Sequence, residues 1–265
     1  SRYTIREVNA VKSLWNSAKA AFAMFSKIPM PMVDWNKENL KYMMCFFPFI
    51  GGAIGILTWV VYFLGAGRLT DTFLAVLLTL VPVLVTGGIH VDGLLDTSDA
   101  LSSWQERTRR LEILKDSHAG AFAVITGCVC FLLWFGGWSQ LLLSRKAVVV
   151  MCLGYMVSRC LSGIGVIVFP KARKDGTVAE FSRDAADVAC RNVLIILAVV
   201  LLACMVLAEP VYGACAFVAA LLVFWWYHHT AMKYFGGTTG DLAGFFLCIC
   251  EVAMTVVLAV VSSLY

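Results

Sequence analysis

One stretch of this chain decides how its fold and its chemistry are interpreted. It reads His90-Val91-Asp92-Gly93-Leu94-Leu95-Asp96-Thr97-Ser98-Asp99 and directly follows a long apolar run. At about 100° per residue, positions i, i+4 and i+7 of a helix fall within an arc of about 60°, so Asp92, Asp96 and Asp99 share one stripe. Like charges this close repel each other, and a helix gains no stability from them. The stretch therefore predicts a helix whose carboxylates face a cation, for which a hard divalent ion with oxygen ligands is suited.

The rest of the chain has the composition of a membrane protein. Of its 265 residues, 60% are hydrophobic and only 14% are charged, and the mean hydropathy is +0.83. A membrane-crossing helix needs about 20 apolar residues. Segments of roughly this length lie at 42–64, 72–89, 120–143, 147–169, 192–208, 211–231 and 241–264. We therefore predict an all-α fold, a polytopic membrane bundle of about seven transmembrane segments with an interfacial Asp-rich helix. This apolar context argues against the alternative interpretation of the aspartates as a solvated acidic face.

The charge distribution predicts how the bundle is oriented. The whole chain, 1–265, is expected to be one membrane-embedded catalytic domain. If seven spans alternate, most of the 21 basic residues fall on one side. By the positive-inside rule this side is cytoplasmic. It carries the cytoplasmic or interfacial N-terminal segment 1–41 and two expected active-site loops, 90–119 and 170–191. Most acidic residues fall there too, which suits an enzyme with a charged substrate, whereas a transporter would place more polar residues at the membrane midplane.

A second acidic set follows the first. Glu112 and Asp116 are again spaced i, i+4, so they share a helix face. Two such sets joined by a short loop can converge on one or two Mg²⁺ ions. Asp116 is favoured as a ligand, whereas Glu112 is equally well explained by a salt bridge with Arg109. Lys115 points away from both carboxylates and can reach a phosphate.

Two further segments have the composition of anion sites. Lys171, Arg173 and Lys174 lie next to an Asp-Gly turn, and cations of this kind suit a diphosphate, although anchoring by the positive-inside rule explains them as well. The second segment is Gly236-Gly237-Thr238-Thr239-Gly240-Asp241. Free backbone N–H groups at the start of a helix favour an anion, while Thr239 is suited to cap that helix. Thr238 and Thr239 are therefore predicted substrate contacts, and Asp241 is a predicted further metal ligand.

Two ionisable residues are predicted inside the membrane. Arg159 and Glu251 each lie about ten residues from the cytoplasmic end of their spans, about 15 Å deep at 1.5 Å per residue. We predict that they pair, because an isolated charge at this depth is costly. A substrate-binding role for Arg159 at the floor of a wet cavity is the alternative.

Taken together, these segments resemble the adenosylcobinamide-GDP ribazoletransferase family, the membrane-bound cobalamin synthases. The similarity runs nearly from end to end and in order. It rests on the motif from His90 to Asp99 and on Phe25-Ser26-Lys27-Ile28-Pro29-Met30-Pro31, Phe47-Pro48-Phe49-Ile50-Gly51-Gly52, Leu114-Lys115-Asp116-Ser117-His118-Ala119-Gly120, Ala172-Arg173-Lys174-Asp175-Gly176 and Gly237-Thr238-Thr239-Gly240-Asp241. The departures are small. Ser26-Lys27 replaces an expected Thr-Arg, and His118 stands where Arg or Ile is commoner.

The resemblance implies a reaction. Adenosylcobinamide-GDP would react with α-ribazole or its 5′-phosphate, giving adenosylcobalamin or its phosphate and GMP, in a Mg²⁺-dependent transfer at the inner membrane. One or two ions would be held by Asp92, Asp96 and Asp116. Asp99 is the preferred general base, with His90 as the alternative, and Lys115, Arg173 and Lys174 would hold phosphates. A homo-oligomer or a complex with other late corrinoid enzymes is a further expectation, and no nucleic-acid partner is expected.

Other enzyme classes share parts of this pattern. A CDP-alcohol phosphotransferase also uses an Asp-rich interfacial helix with Mg²⁺. Its Asp-Gly pair is followed by Ala-Arg, whereas this chain has Leu95-Asp96 in place of Ala-Arg. The spacing between its later aspartates is also longer than the spacing here. A prenyltransferase would need a long apolar tunnel. A membrane transporter is the alternative from a different class.

Overall fold

The computed structural model of the chain describes residues 2–116, 118–173 and 186–264. These residues are almost entirely helical and contain no β-strand, although Lys171 and Thr238 form an isolated β-bridge. The helices are α1 (Arg2–Phe25), α2 (Lys37–Leu40), α3 (Met43–Gly65), α4 (Asp71–Thr86), α5 (Ile89–Ser102), α6 (Arg107–Ile113), α7 (Ala121–Leu141), α8 (Arg145–Val168), α9 (Ala186–Ala208), α10 (Pro210–Thr230), which continues as a π-helical turn (Ala231–Phe235), and α11 (Gly240–Leu264). The predicted all-α class is confirmed.

Six of these helices are long and apolar enough to cross a membrane. They are α3, α7, α8, α9, α10 with its π-helical turn, and α11. If α4 and α5 are counted together as one span, they form the seventh, although this pair is bent by 93° at its break. A polytopic membrane protein with about seven spans is therefore confirmed, and most predicted spans match a helix to within a few residues. The main exceptions are 72–89, which is divided by the bend, and 192–208, whose helix begins earlier.

The bend is made by two consecutive glycines. Gly87 and Gly88 have φ angles of +64° and +80°, a left-handed conformation that side chains other than glycine rarely adopt. The N–H of Gly88 donates to the carbonyl of Val83, which closes the C-terminus of α4. The helix α4 is apolar, and α5, which carries the aspartates, turns almost perpendicular to it, so we treat α5 as the interfacial helix.

The bundle is built around α8 and α11. Both helices are largely buried, whereas α9 and α10 expose most of their apolar side chains. An exposed apolar face is what lipid solvates, so α9 and α10 form part of the outer surface. The helix α5 packs mainly against α11 and α7, so the Asp-rich motif lies over the end of the central helix.

A buried ion pair joins the two central helices. Nη1 of Arg159 on α8 lies 2.6 Å from Oε1 of Glu251 on α11. The same carboxylate oxygen accepts a hydrogen bond from the hydroxyl of Ser158 at 2.9 Å. The predicted pairing is confirmed, and it removes the cost of an isolated charge at this depth.

Candidate active site

The helix α5 approaches α11 closely because glycine occupies the contact. A Cβ built on Gly93 would lie 2.6 Å from the backbone oxygen of Asp241, closer than real Cβ contacts come. On the facing helix, a Cβ on Gly244 would lie 3.2 Å from the Cα of His90. The glycine of the motif therefore has a physical function: it lets the start of α11 reach the Asp-bearing part of α5.

Five aspartates gather around this contact. Asp96 on α5 has a pKa raised to about 6, and burial is the largest cause. The other causes are the charges of Asp92, Asp241, Asp99 and Asp116. Four neighbouring carboxylates act on Asp96 because α5, the turn after α6 and the start of α11 meet here. Of the second predicted acidic set, Asp116 acts on Asp96 and Glu112 does not.

Asp99 connects the motif helix to the start of α7. One of its oxygens accepts the N–H of Gly120, and the other accepts the N–H of Ala123 at 2.8 Å. These N–H groups belong to the first turn of a helix, where they have no partner within the helix itself. Asp99 therefore caps α7 from another helix, which fixes its position.

The second acidic turn lies beside this cap. Oδ1 of Asp116 accepts the backbone N–H of His118 at 3.0 Å and lies 2.7 Å from Nδ1 of its ring. These contacts lower the pKa of Asp116, so its carboxyl group stays ionised. Glu112, by contrast, accepts a hydrogen bond from Arg109 at 2.7 Å, with both side chains more than half exposed. The structure thus contains the salt bridge that was the alternative explanation of Glu112.

The carboxylates do not form a finished metal site. Within the described ranges, no three His, Cys, Asp or Glu side chains lie close enough together to hold a metal ion as they stand. The donor chemistry nevertheless fits a hard cation, because every carboxylate that acts on Asp96 offers oxygen ligands. The repulsion from these carboxylates also contributes to the raised pKa of Asp96. Among the described residues, neither Asp92 nor Asp96 forms an ion pair that would relieve this repulsion.

A basic cavity lies next to the carboxylates. Its volume is about 320 Å³, and its charged lining consists of three cations, Arg107, Lys115 and Arg173, and of one carboxylate, Glu112. The guanidinium group of Arg173 also donates to the backbone oxygen of Leu111 and interacts electrostatically with Asp241. Lys115 and Arg173 were predicted phosphate contacts, and the fold brings them together. Arg107 was missed, although its position in the basic turn between the two acidic sets was a usable signal.

The loop after α8 is held by backbone pairing. The N–H of Ala172 donates to the oxygen of Thr238 at 3.0 Å, and the N–H of Thr238 donates to the oxygen of Pro170 at 2.7 Å. The ammonium group of Lys171 donates to backbone oxygens of Val166 and, at 3.0 Å, of Phe169. It therefore caps the C-terminus of α8, and burial lowers its pKa to about 8.

The remaining predicted substrate contacts are Thr239, Thr238, Lys174 and Arg159, and the last of these pairs with Glu251 in the interior of the bundle. Thr239 accepts the N–H of Leu242 at 3.2 Å, so the predicted cap of α11 is confirmed. The hydroxyl of Thr238 is buried and pairs with that of Tyr227. Lys174 lies outside the described residues.

A second cavity, of about 350 Å³ and with a mostly apolar lining, lies at the start of the motif helix. His90, Asp92 and Asp241 reach it from the carboxylate side. Burial, and secondarily the charge of Arg159, lowers the pKa of His90 to about 3, so the ring is neutral near pH 7.

The family model of cobalamin-5-phosphate synthase matches residues 17–259, which include every described residue of this site. The chain belongs to the cobalamin-5-phosphate synthase family. It is therefore a transferase of cobalamin synthesis.

Similar proteins carry a consistent name. An adenosylcobinamide-GDP ribazoletransferase of Lachnoclostridium phytofermentans is 44% identical over 237 residues, which cover 89% of this chain and 90% of that protein. Proteins of the same name from a Geobacillus species and from Clostridium perfringens strain 13 are 30% and 28% identical, over 89% and 95% of this chain and 92% and 100% of their own lengths. No solved structure matches the chain.

Proposed function

We propose that this chain transfers the adenosylcobinamide phosphate group from adenosylcobinamide-GDP to α-ribazole or its 5′-phosphate. The 3′-hydroxyl of the ribazole attacks the phosphorus that carries the corrinoid arm. The bond from this phosphorus to the oxygen that bridges the two phosphates breaks, and GMP leaves with that oxygen. The hydroxyl proton passes to a base of the protein. The names of the relatives support these substrates.

The observation that carries the proposal is the juxtaposition of opposite charges at one end of the bundle. Carboxylates of α5 and α11 lie beside a cavity lined by Arg107, Lys115 and Arg173. Phosphoryl transfer depends mainly on positioning and on stabilising negative oxygens. A basic cavity that holds the phosphates and an acidic cluster that holds a cation supply both requirements.

We propose that Asp92, Asp96 and Asp116 bind Mg²⁺, with Asp241 as a further ligand. The oxygen-only donors fit this ion. When bound, Mg²⁺ neutralises phosphate oxygens and the charge that develops on the leaving group. The side chains must shift from the described arrangement, because no three of the described groups lie close enough as they stand. Repulsion among the carboxylates favours such a shift when a cation arrives.

Arg107, Lys115 and Arg173 would bind the diphosphate and then the departing GMP. An Arg guanidinium offers forked hydrogen bonds to phosphate oxygens, and a Lys ammonium acts as a point charge. Arg173 is held by the backbone of Leu111, so this cation is positioned before a substrate arrives. Lys171 is assigned a structural role instead, because its ammonium group caps α8.

Asp99 is our choice for the proton acceptor. It accepts two backbone hydrogen bonds, which hold its carboxylate near the metal ligands, and each oxygen keeps a second lone pair. His90 is a poor proton acceptor near pH 7, because burial lowers its pKa to about 3. A proton acceptor works best when its pKa lies nearer the operating pH.

We further propose that the site faces the cytoplasm of a bacterial cell from the inner membrane. The basic residues concentrate on the side that carries the site, as the positive-inside rule requires. This orientation gives the charged substrates access from water.

A purified-protein assay tests the proposal. The chain, in detergent or nanodiscs, is mixed with adenosylcobinamide-GDP and Mg²⁺, with and without α-ribazole, and GMP is measured. We expect release of GMP only when both Mg²⁺ and α-ribazole are present. GMP release at the same rate without the acceptor would show hydrolysis, and release that persists in EDTA would remove the metal from the mechanism.

A further inference from the structure

The apolar cavity is lined by residues from five helices. The end of α1, together with α3, α8, the start of α5 and the start of α11, contribute to its lining. Its aromatic side chains are Phe25 and Phe47, whose ring centroids lie 6.5 Å and 5.9 Å from that of His90. A volume of about 350 Å³ lies within the range of small-molecule sites, which begins at about 300 Å³.

Two buried polar atoms in this lining have no partner among the described residues. They are Nε2 of His90 and Oγ of Ser162, and their residues are only 8% and 1% exposed. Most buried polar atoms in proteins are hydrogen-bonded, so these two atoms beside the cavity keep a hydrogen-bonding capacity that a ligand can use after a small shift of the lining. The side chains of the lining other than His90, Asp92, Ser162 and Asp241 are apolar, so the part of the ligand that enters is mostly apolar.

We propose that this cavity binds the fused heteroaromatic base of the acceptor nucleoside. The inference rests on the proposed function, which supplies α-ribazole as the acceptor. A benzimidazole base has two ring nitrogens, and one of them is used by the glycosidic bond. The other is an acceptor, which matches one donor, the hydroxyl of Ser162 or the Nε2–H tautomer of His90. The rings of Phe25 and Phe47 supply aromatic surface for the flat base.

The other parts of the two substrates fit this cavity less well. Guanine has an amide, an amino group and further ring nitrogens, and only Asp92 and Asp241, which are assigned to the cation, could accept hydrogen bonds from its donors in this lining, so burying guanine here is costly. A corrin ring with its cobalt and side-chain amides is too large and too polar for a cavity of about 350 Å³. The basic cavity, by contrast, suits the phosphates of the donor.

The position of the cavity also fits the chemistry. Asp92 and Asp241 belong both to its lining and to the carboxylate cluster. A nucleoside whose base occupies the cavity would therefore direct its ribose toward these carboxylates. This places the attacking hydroxyl on the side of the diphosphate.

Binding measurements with cavity variants test the inference. Isothermal titration calorimetry is used to measure α-ribazole and, separately, GMP binding to the full chain in nanodiscs. In Ala243→Leu the larger side chain fills part of the cavity, and we expect at least about tenfold weaker α-ribazole binding, since overpacking disfavours a ligand in the same space. In Ser162→Ala the loss of one hydroxyl is expected to weaken α-ribazole binding about fivefold. The affinity for GMP stays within about twofold in both variants, because the phosphate contacts are elsewhere.

Ala253→Leu is the matched control, since it makes the same change on α11 outside the cavity lining, and we expect it to keep both affinities. Free 5,6-dimethylbenzimidazole, which has no ribose, should compete with α-ribazole in the wild type and lose this ability in Ala243→Leu. Weaker GMP binding with unchanged α-ribazole binding would assign the cavity to guanine and overturn the inference. Unchanged α-ribazole binding in both cavity variants would also overturn it.

The assay for GMP release separates this inference from the proposed function. If wild-type protein releases GMP in an acceptor-dependent way and the cavity variants bind α-ribazole normally, the inference fails and the function stands. If wild-type protein releases no GMP with both substrates, the proposed function fails.

Discussion

Two regions of this molecule hold buried or crowded charge, and they differ in how that charge is balanced. Arg159 and Glu251 lie inside the membrane bundle at 1% and 4% side-chain exposure, and each neutralises the other at 2.6 Å. At the interfacial end, Asp92 and Asp96 belong to a group of five aspartates, and neither forms an ion pair among the residues that the structure describes.

The difference separates structural charge from functional charge. A balanced pair in a low-dielectric interior joins two helices and needs no further counter-charge. An unbalanced cluster costs free energy unless a ligand supplies the opposite charge. Removing one member should therefore affect stability in the first region and activity in the second.

Asp96→Asn should have the largest effect. Asp96 has four carboxylate neighbours, so its loss removes a metal ligand and reduces their repulsion at the same time. We expect GMP release to fall by about 10³-fold or more, which corresponds to about 4 kcal/mol of transition-state stabilisation, while the free energy of unfolding is unchanged or higher. Steady-state assays and thermal unfolding in detergent measure the two quantities.

The control for this variant is Asp71→Asn, which removes an exposed aspartate at the start of α4. We expect it to keep full activity. An Asp96→Asn protein with near-normal turnover would remove Asp96 from the site.

Glu251→Gln should act on stability instead. It leaves the Arg159 guanidinium without a counter-charge in the interior, which costs about 3 kcal/mol of unfolding free energy. The double variant Arg159→Met with Glu251→Gln should recover most of this loss, because no unpaired charge remains. Denaturant titration in a fixed detergent measures all three proteins. Wild-type stability in the single variant would contradict the pairing as a stabilising contact.

Gly93→Ala tests the contact that links the two helices of the site. Its Cβ would lie 2.6 Å from the backbone oxygen of Asp241, so α5 and α11 must move apart. We expect a destabilisation of about 2 kcal/mol and a loss of activity. Gly136→Ala on α7 is the comparison, since its Cβ meets nothing within 4 Å. Equal activity in both variants would show that the close approach is not needed.

Glu112→Ala should have the smallest effect. Glu112 pairs with Arg109 on an exposed surface, and such pairs contribute about 0–1 kcal/mol. We expect activity within about threefold of wild type and a change in unfolding free energy below about 1 kcal/mol. A large loss of activity that is reversed by raising the Mg²⁺ concentration would instead add Glu112 to the metal ligands.

Much of this fold follows from local sequence patterns. Apolar runs of the length of a membrane set the spans, and the spacing of the three motif aspartates predicts a helix that the structure places at Ile89–Ser102. The equal depth of Arg159 and Glu251 predicts their pair. Each of these signals depends on positions along one or two helices.

Other features depend on how distant segments meet, and the sequence does not contain them in a local form. The 93° bend requires both glycines to be left-handed, whereas Gly-Gly is equally compatible with a simple end of a helix. In the sequence, Lys171 stands beside other cations and is predicted to contact a phosphate. In the fold, its ammonium group instead caps the C-terminus of α8. The grouping of Arg107 with Lys115 and Arg173 likewise results from the packing of α6 against the loop that follows α8.

The central claim is that the unbalanced aspartates of α5 and its neighbours hold a divalent cation. Mn²⁺ binding to the purified protein, measured by electron paramagnetic resonance without any substrate, tests it most directly. We expect saturable binding of one or two Mn²⁺ ions that Mg²⁺ competes away, and loss of this binding in Asp96→Asn but not in Asp71→Asn. Equal binding by wild type and Asp96→Asn, or no binding by either, would contradict the claim.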